Sequence, residues 1–224
     1  MGQAVEIVRD VVSQIRELMN REDLRDYYPL IKTEDGPEIK YFGGVRIETR
    51  QTPKGPDTFY MLRRNYGWAV ALVVTREGKV VLNIQPKPGL AVASLEMPAG
   101  GIGKDPKRTQ AGIIQLTQDQ VLKETGYGNA METHYLGFSI IESGKEFDPA
   151  VEPPFEPGVG RGLKAHLVLL KGVERVAEQQ LASTDKIQPI LVSRDGLIDL
   201  VKNNVLVETS AVNCVALALL NNLI

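Results

Sequence analysis

At 224 residues the chain is long enough for one sizeable domain with a small extension. A net charge of -2 supplies no field to draw nucleic acid or an anionic membrane, and 43% hydrophobic with 24% charged residues is ordinary for a globular protein. One cysteine, Cys214, excludes an intrachain disulfide framework and fits a reducing compartment, while His134 and His166 alone cannot build a His-rich metal site.

No apolar run approaches the roughly 18 residues a membrane span needs, and the N-terminus lacks the apolar core of a secretory signal. Met1-Gly2 fails as a myristoylation site because Glu6 stands where that motif has Ser or Thr. The expected setting is cytoplasmic, with no nucleic-acid or membrane partner.

In chain order, residues 3 to 20 read as an amphipathic helix, with Val5, Val8, Val12, Ile15 and Leu18 at spacings of three and four. A charged linker to Pro37 follows. From Ile39 the period shortens to two, predicting strands over 39–49, 58–63, 69–75 and 79–85. Turn material separates them: Thr52-Pro53-Lys54-Gly55-Pro56, Asn65-Tyr66-Gly67 and Glu77-Gly78. A short strand over 95–98 enters a glycine-rich loop, 99–103. Asp105-Pro106 then reads as an N-cap with proline at the first helical position, opening a helix that runs to Thr125 and stops at Gly126. Residues 134–141, 165–170 and 189–192 read as strands, and 195–202 and 209–220 as helices. Between them, residues 142–162 form a long, acidic, proline-rich loop. The sum is an α+β chain, strand-rich in its first half.

Chemistry concentrates in Leu95-Glu96-Met97-Pro98-Ala99-Gly100-Gly101-Ile102, followed by Glu124-Thr125-Gly126-Tyr127. This stretch resembles the Nudix box, and its surroundings resemble the ADP-ribose pyrophosphatase branch of that family. Val80-Val81-Leu82-Asn83-Ile84-Gln85 and Lys87-Pro88-Gly89 are similar to the strand and turn that precede the box there, and the resemblance covers roughly residues 40 to 222. It implies a Nudix-like mixed β-sheet sandwich flanked by helices, with an N-terminal helix and linker (1–37) and a Nudix-like domain (38–224). In that domain residues 38–64 would be N-terminal strands and 65–224 the core. It further implies a homodimer, a nucleoside diphosphate derivative as ligand, and Mg²⁺ or Mn²⁺ as cofactor. The cation would neutralise the diphosphate, orient a water and lower its pKa, and such hard cations need oxygen ligands.

The box departs from that pattern. Its second Glu falls on Glu124, but the first falls on Lys123, the Glu of the Arg-Glu pair on Gln120, its Arg on Asp119, and the early Glu on Pro106. No Glu occurs between Met97 and Lys123 to restore the set by a shift of alignment. What the resemblance leaves as metal ligands is the Ala99 carbonyl, Gln120 and Glu124, with Glu124 the catalytic candidate. A dication held by one carboxylate beside the Lys123 ammonium binds weakly. Lys104, Lys107, Arg108 and Lys123 could instead neutralise a diphosphate directly, with backbone N–H groups of Gly100 and Gly101 assisting and Lys87 near the phosphates.

Each residue also has a plainer reading. Gly100-Gly101 alone would be a tight turn. Glu124 could be a surface Glu, although a helix C-terminus disfavours it. Gln120 and Lys87 could be solvated, Glu96 a support for the loop, His134 and His166 hydrogen-bonded strand residues, and Cys214 core. Glu146, Asp148, Glu152 and Glu156 could supply replacement carboxylates or stay in solvent. Three functions remain open: a nucleoside-diphosphate-binding domain with impaired hydrolysis, an active metal-dependent pyrophosphatase, and a non-catalytic structural dimer module.

Overall fold

The computed structural model describes residues 5–6, 10–19, 21, 38–39, 43–52, 55–63, 67–87, 92–102, 109–140, 164–183 and 185–224. In chain order they form β1 (Val5–Glu6), α1 (Val11–Met19), β2 (Glu38–Ile39), β3 (Gly43–Thr52), β4 (Gly55–Arg63), β5 (Trp68–Thr75), β6 (Val80–Lys87), β7 (Val92–Glu96) and β8 (Ala99–Gly101). There follow α2 (Gln110–Thr125), β9 (Tyr127–Gly128), β10 (Glu132–Ile140), β11 (Lys164–Arg175), β12 (Gln188–Val192), α3 (Arg194–Lys202) and α4 (Thr209–Leu220). Among the described residues two sheets form: β2-β3-β4, and a mixed sheet in the order β1-β12-β6-β5-β11-β10, with β7 added to β6, β8 to β5 and β9 to β11. This is the expected α+β sandwich.

Strand alternation builds the layers. Leu72, Leu82, Ile84, Leu167, Leu169 and Ile190 face α1, α3 and α4, sharing one core with Ile15, Leu197, Leu200 and Cys214. Their neighbours one residue along, Ala71, Val73, Val81, Val168 and Leu170, face the opposite side and pack with Val121 of α2 and Tyr127. Both sheet faces are covered, so the central strands read as nearly unbroken apolar runs.

The sheet also forks. The later part of β5 pairs with β6 at Val73–Val81 and Val74–Val80, whereas its first three residues pair with β8. The far end of β6 turns to β7, from Asn83–Glu96 to Lys87–Val92. A gap therefore opens on the α2 face between β8 and β6, at the level of Asn83.

Several boundaries differ from the sequence reading. The helix expected over 3–20 begins only at Val11, because Val5 and Glu6 pair in parallel with Ile190 and Leu191. Asp10 then starts the helix with its carbonyl accepting from Gln14 N–H at 3.1 Å. The helix expected to open at Asp105-Pro106 starts at Gln110, where the Thr109 hydroxyl accepts from Gly112 N–H at 3.2 Å; Asp105 and Pro106 lie outside the described residues. The start of the glycine-rich loop is strand, since Ala99, Gly100 and Gly101 pair with Val70, Ala69 and Trp68. The 165–170 strand extends over Lys164–Arg175, and Tyr127–Gly128 adds a short strand against its end. Most of the 21–37 linker and all of the 142–162 loop lie outside the described residues.

The end of α2 is as expected. Gly126 has φ 78°, donates its N–H to Leu122 O at 2.8 Å, and accepts from Val176 N–H at 2.9 Å. A Cβ there would lie 2.2 Å from the Ala177 carbonyl oxygen, which is backbone and cannot swing aside. Gly126→Ala is therefore expected to destabilise the fold by at least the roughly 1–3 kcal/mol of a strained left-handed residue. A shift in the urea midpoint measures it; an unchanged midpoint would contradict the packing described.

Candidate functional site

Glu124 enters the fork. It sits in the last turn of α2 with a relative exposure of 8%, and three N–H groups converge on its carboxylate. Asn83 Nδ2 on β6 donates to one oxygen at 2.9 Å, Gln120 Nε2 donates to the other at 2.7 Å, and the Ala99 N–H of β8 is a further donor. The spacing explains Gln120: residues four apart on a helix share a face, so its amide reaches the carboxylate one turn on. Its Cγ and carboxamide rest on Gly100, where a Cβ would come within 2.6 Å of Cγ and 2.8 Å of Cδ.

Burial pushes the Glu124 carboxyl up to about 7, against the opposing pull of the Gln120 amide, the Ala99 N–H and the Lys87 charge, with Glu96 adding to the rise. Glu96 is held tightly in its turn. Gln85 Nε2 donates to it at 2.5 Å, Ser94 Oγ at 2.6 Å, and Lys87 Nζ pairs with it at 2.8 Å. Those four side chains tie β6 to β7 beside the fork, which fits the reading of Glu96 as a support. Asn83 Oδ1 is the buried side-chain atom left without a partner among the described residues.

The expected site residues separate into groups. Glu124, Gln120, Ala99 and Gly100 come together. Gly101 is exposed on β8 opposite Trp68. Lys87 lies near enough to act on Glu124 electrostatically but is engaged by Glu96. Lys123 is exposed, and the cation acting on Glu124 is Lys87. Lys104, Lys107 and Arg108 lie outside the described residues. A cavity of about 270 Å³, lined by Gln118, Asp119, Leu122 and Asn129 among others, occupies the opposite flank of α2.

The donor set is a poor fit to Mg²⁺ or Mn²⁺. Among the described residues no three His, Cys, Asp or Glu side chains cluster as ligands. Of the two carboxylates near the fork, one faces three N–H donors and the other is neutralised by Lys87. Hard cations need free oxygen lone pairs, and here the hydrogens occupy those directions.

A second polar pair was not legible as a pair. Phe138, His166, Ala69 and Gly100 form one row of partners across β10, β11, β5 and β8. His166 shares the α2 face with Val168, and its Nδ1 lies 2.7 Å from the Tyr135 hydroxyl. Burial, helped by Lys164, depresses His166 to about 4, so the ring is neutral at physiological pH. Lys164 Nζ also lies 4.4 Å from the Phe138 ring centroid. Asn83 and Gln179 were missed as well. Gln179 donates to Glu124 O at 2.5 Å and Ile187 O at 3.1 Å, securing the end of α2. Asn83 carried a signal, a lone amide inside the buried run Val80–Ile84; Gln179, in irregular backbone, carried none.

Neither the family models nor the curated proteins searched contain a match to this chain. Comparison with solved structures gives matches that include a crystal structure of an ADP compounds hydrolase, which superposes with a TM-score of 0.61, over 84% of this chain and 90% of that chain, at 13% identity. The fold is Nudix-like. At that identity the likeness establishes architecture alone. No helix among the described residues is long and apolar enough to cross a membrane.

The two shifted groups make opposite contributions to stability. The raised Glu124 carboxyl stabilises most below its unfolded value of 4.5, and that contribution is lost as pH rises toward about 7. The depressed His166 costs stability as pH falls from 6.5 toward about 4, because only the unfolded chain takes up the proton. Between roughly pH 4.5 and 6.5 the two oppose, each at up to about 1.4 kcal/mol per pH unit. Relative to wild type, Glu124→Gln should gain stability with rising pH and His166→Gln should lose it. Urea midpoints across that window test this, and difference curves without slope would refute it.

Proposed function

We propose that the surface formed by β8, α2 and the Glu124 fork binds a nucleoside diphosphate derivative, with metal-dependent hydrolysis impaired or absent. The observation that carries this reading is the carboxylate of Glu124, occupied by protein N–H donors where metal-assisted hydrolysis needs open oxygen ligands. The superposed structure's description as an ADP compounds hydrolase supports an ADP-containing compound as the first ligand to try. The loop cations Lys104, Lys107 and Arg108 would meet the diphosphate, with Gly100 and Gly101 admitting it close to the backbone. Under this reading Lys123 lies at the margin, and Lys87 serves the Glu96 network first.

A second reading, an active pyrophosphatase, draws support from Glu96, a carboxylate close enough to act on Glu124. It needs Lys87 released from Glu96, or carboxylates from the 142–162 loop. We further propose a homodimer in which residues 38–64 take part; β2, β3 and β4 form a sheet of their own, an element free to serve assembly rather than the core. Light scattering on the full chain and on a chain lacking only residues 38–64, which keeps β1 and α1, checks that assignment.

Incubation with ADP-ribose and Mg²⁺ or Mn²⁺, following AMP release and thermal stability together, separates the readings. We expect ligand at about 100 times Kd to add roughly 2.7 kcal/mol of stability, without AMP above the buffer control and undiminished by chelator. Metal-dependent AMP release lost in Glu124→Gln would establish the pyrophosphatase instead. Neither stabilisation nor release by any ADP compound would leave the structural module.

A further inference from the structure

We propose that Gln120 is a built-in replacement for a divalent cation at Glu124, closing the carboxylate to metal and ordering the junction of β8 and α2 without one. The inference deepens the reading above by naming the residue responsible, and its test uses metal alone, so either can fail without the other.

The first argument is geometric. A cation bound to Glu124 on the side that faces Gln120 would sit between α2 and β8. Gln120 fills that space: its Cγ and amide carbon lie over Gly100, and its amide nitrogen points at a Glu124 oxygen from 2.7 Å. Whenever the carboxylate is ionised it only accepts hydrogen bonds, and the amide then presents its N–H. Those hydrogens put partial positive charge where a dication would put a full one.

The remaining neighbours complete the same pattern. Asn83 Nδ2 donates to the other oxygen at 2.9 Å, and the Ala99 N–H joins them. Three N–H donors take most of the roughly four lone-pair sites a carboxylate offers. To enter, a cation would have to displace Gln120, lose its own water, and accept a single carboxylate within the field of Lys87.

The arrangement stands one substitution from a different state. Asn83 Oδ1, buried and without a partner among the described residues, is a spare neutral oxygen beside the carboxylate. Replacing Gln120 by Glu removes a donor and adds a carboxylate one helical turn from Glu124. Two carboxylates would then converge, with an amide oxygen available to them if Asn83 turns its Oδ1 in place of Nδ2, the donor chemistry that hard cations take.

The experiment is a Mn²⁺ titration of the full chain without nucleotide, with free Mn²⁺ read from its electron paramagnetic resonance signal. Each protein is compared with its own Glu124→Gln counterpart, so that ions held elsewhere cancel. We expect no difference between wild type and Glu124→Gln up to millimolar Mn²⁺. Gln120→Glu should gain one site, at least tenfold tighter than any in wild type and lost in Gln120→Glu/Glu124→Gln. A Glu124-dependent Mn²⁺ site in wild type overturns the proposal, whether or not any Gln120 variant folds. So does a Gln120→Glu protein with wild-type circular dichroism and no such site. A third measurement probes the packing: Gly100→Ala, whose methyl would push Gln120 off the carboxylate, should lower the melting temperature equally with and without Mn²⁺. Rescue of that loss by Mn²⁺ would mean the cation can take the place assigned to the amide, and would overturn the proposal.

Discussion

Burying a carboxylate is costly unless its oxygens are bonded, and the placement of Glu124 shows how the surrounding structure answers that requirement. The fork in the sheet leaves backbone of β8 and a side chain of β6 facing one another across a gap. Only a group that accepts from both can close it. The last turn of α2 supplies that group, Gln120 completes the set of donors, and Gln179 fixes the helix end from outside. Helix, glycine-rich strand and fork are consequently one unit. A change in any of the three is felt at the carboxylate.

The same unit sets how charge is arranged at the fork. In a site built for a dication, negative charges repel one another until the ion arrives, and the apo state is strained. Here the charges are matched internally: Glu96 by Lys87, Ser94 and Gln85, and Glu124 by amides. Both carboxylates are thereby held by the protein's own groups. The neutral His166 and Tyr135 pair extends polar surface along the same sheet face, in the row that ends at Gly100.

What could be read in advance followed from period and punctuation. The apolar runs in 69–75 and 79–85, bounded by turn residues, gave the buried strands, and Thr125-Gly126 gave the helix end, because a left-handed residue after a helix leaves a glycine in the sequence. The Pro-Ala-Gly-Gly run marked the strand that lies against Gln120. Other features depend on partners remote in the chain. Val5 and Glu6 look helical because their apolar spacing continues that of the following helix, and only Ile190 and Leu191 make them a strand. Gly100 looks like loop until Ala69 pairs with it. The role of Gln120, a residue ordinary on any helix, is decided by the absence of a side chain on Gly100 and the presence of Glu124 one turn on. Asp105-Pro106 illustrates the opposite failure: a sound local signal for a helix start, while α2 opens after Thr109 instead.

The chain's single thiol has its own consequence. Cys214 is fully buried against the sheet, with Sγ 3.7 Å from the Val168 carbonyl, and burial pushes it up to about 12. Alkylation requires an exposed thiolate, so reagent reaches this sulfur only when α4 parts from β11. The rate of labelling is then a clock for opening of that face. With no other cysteine in the chain, the clock runs without background, and a ligand that tightens the fold from the α2 side would be heard through the sheet as a slower tick.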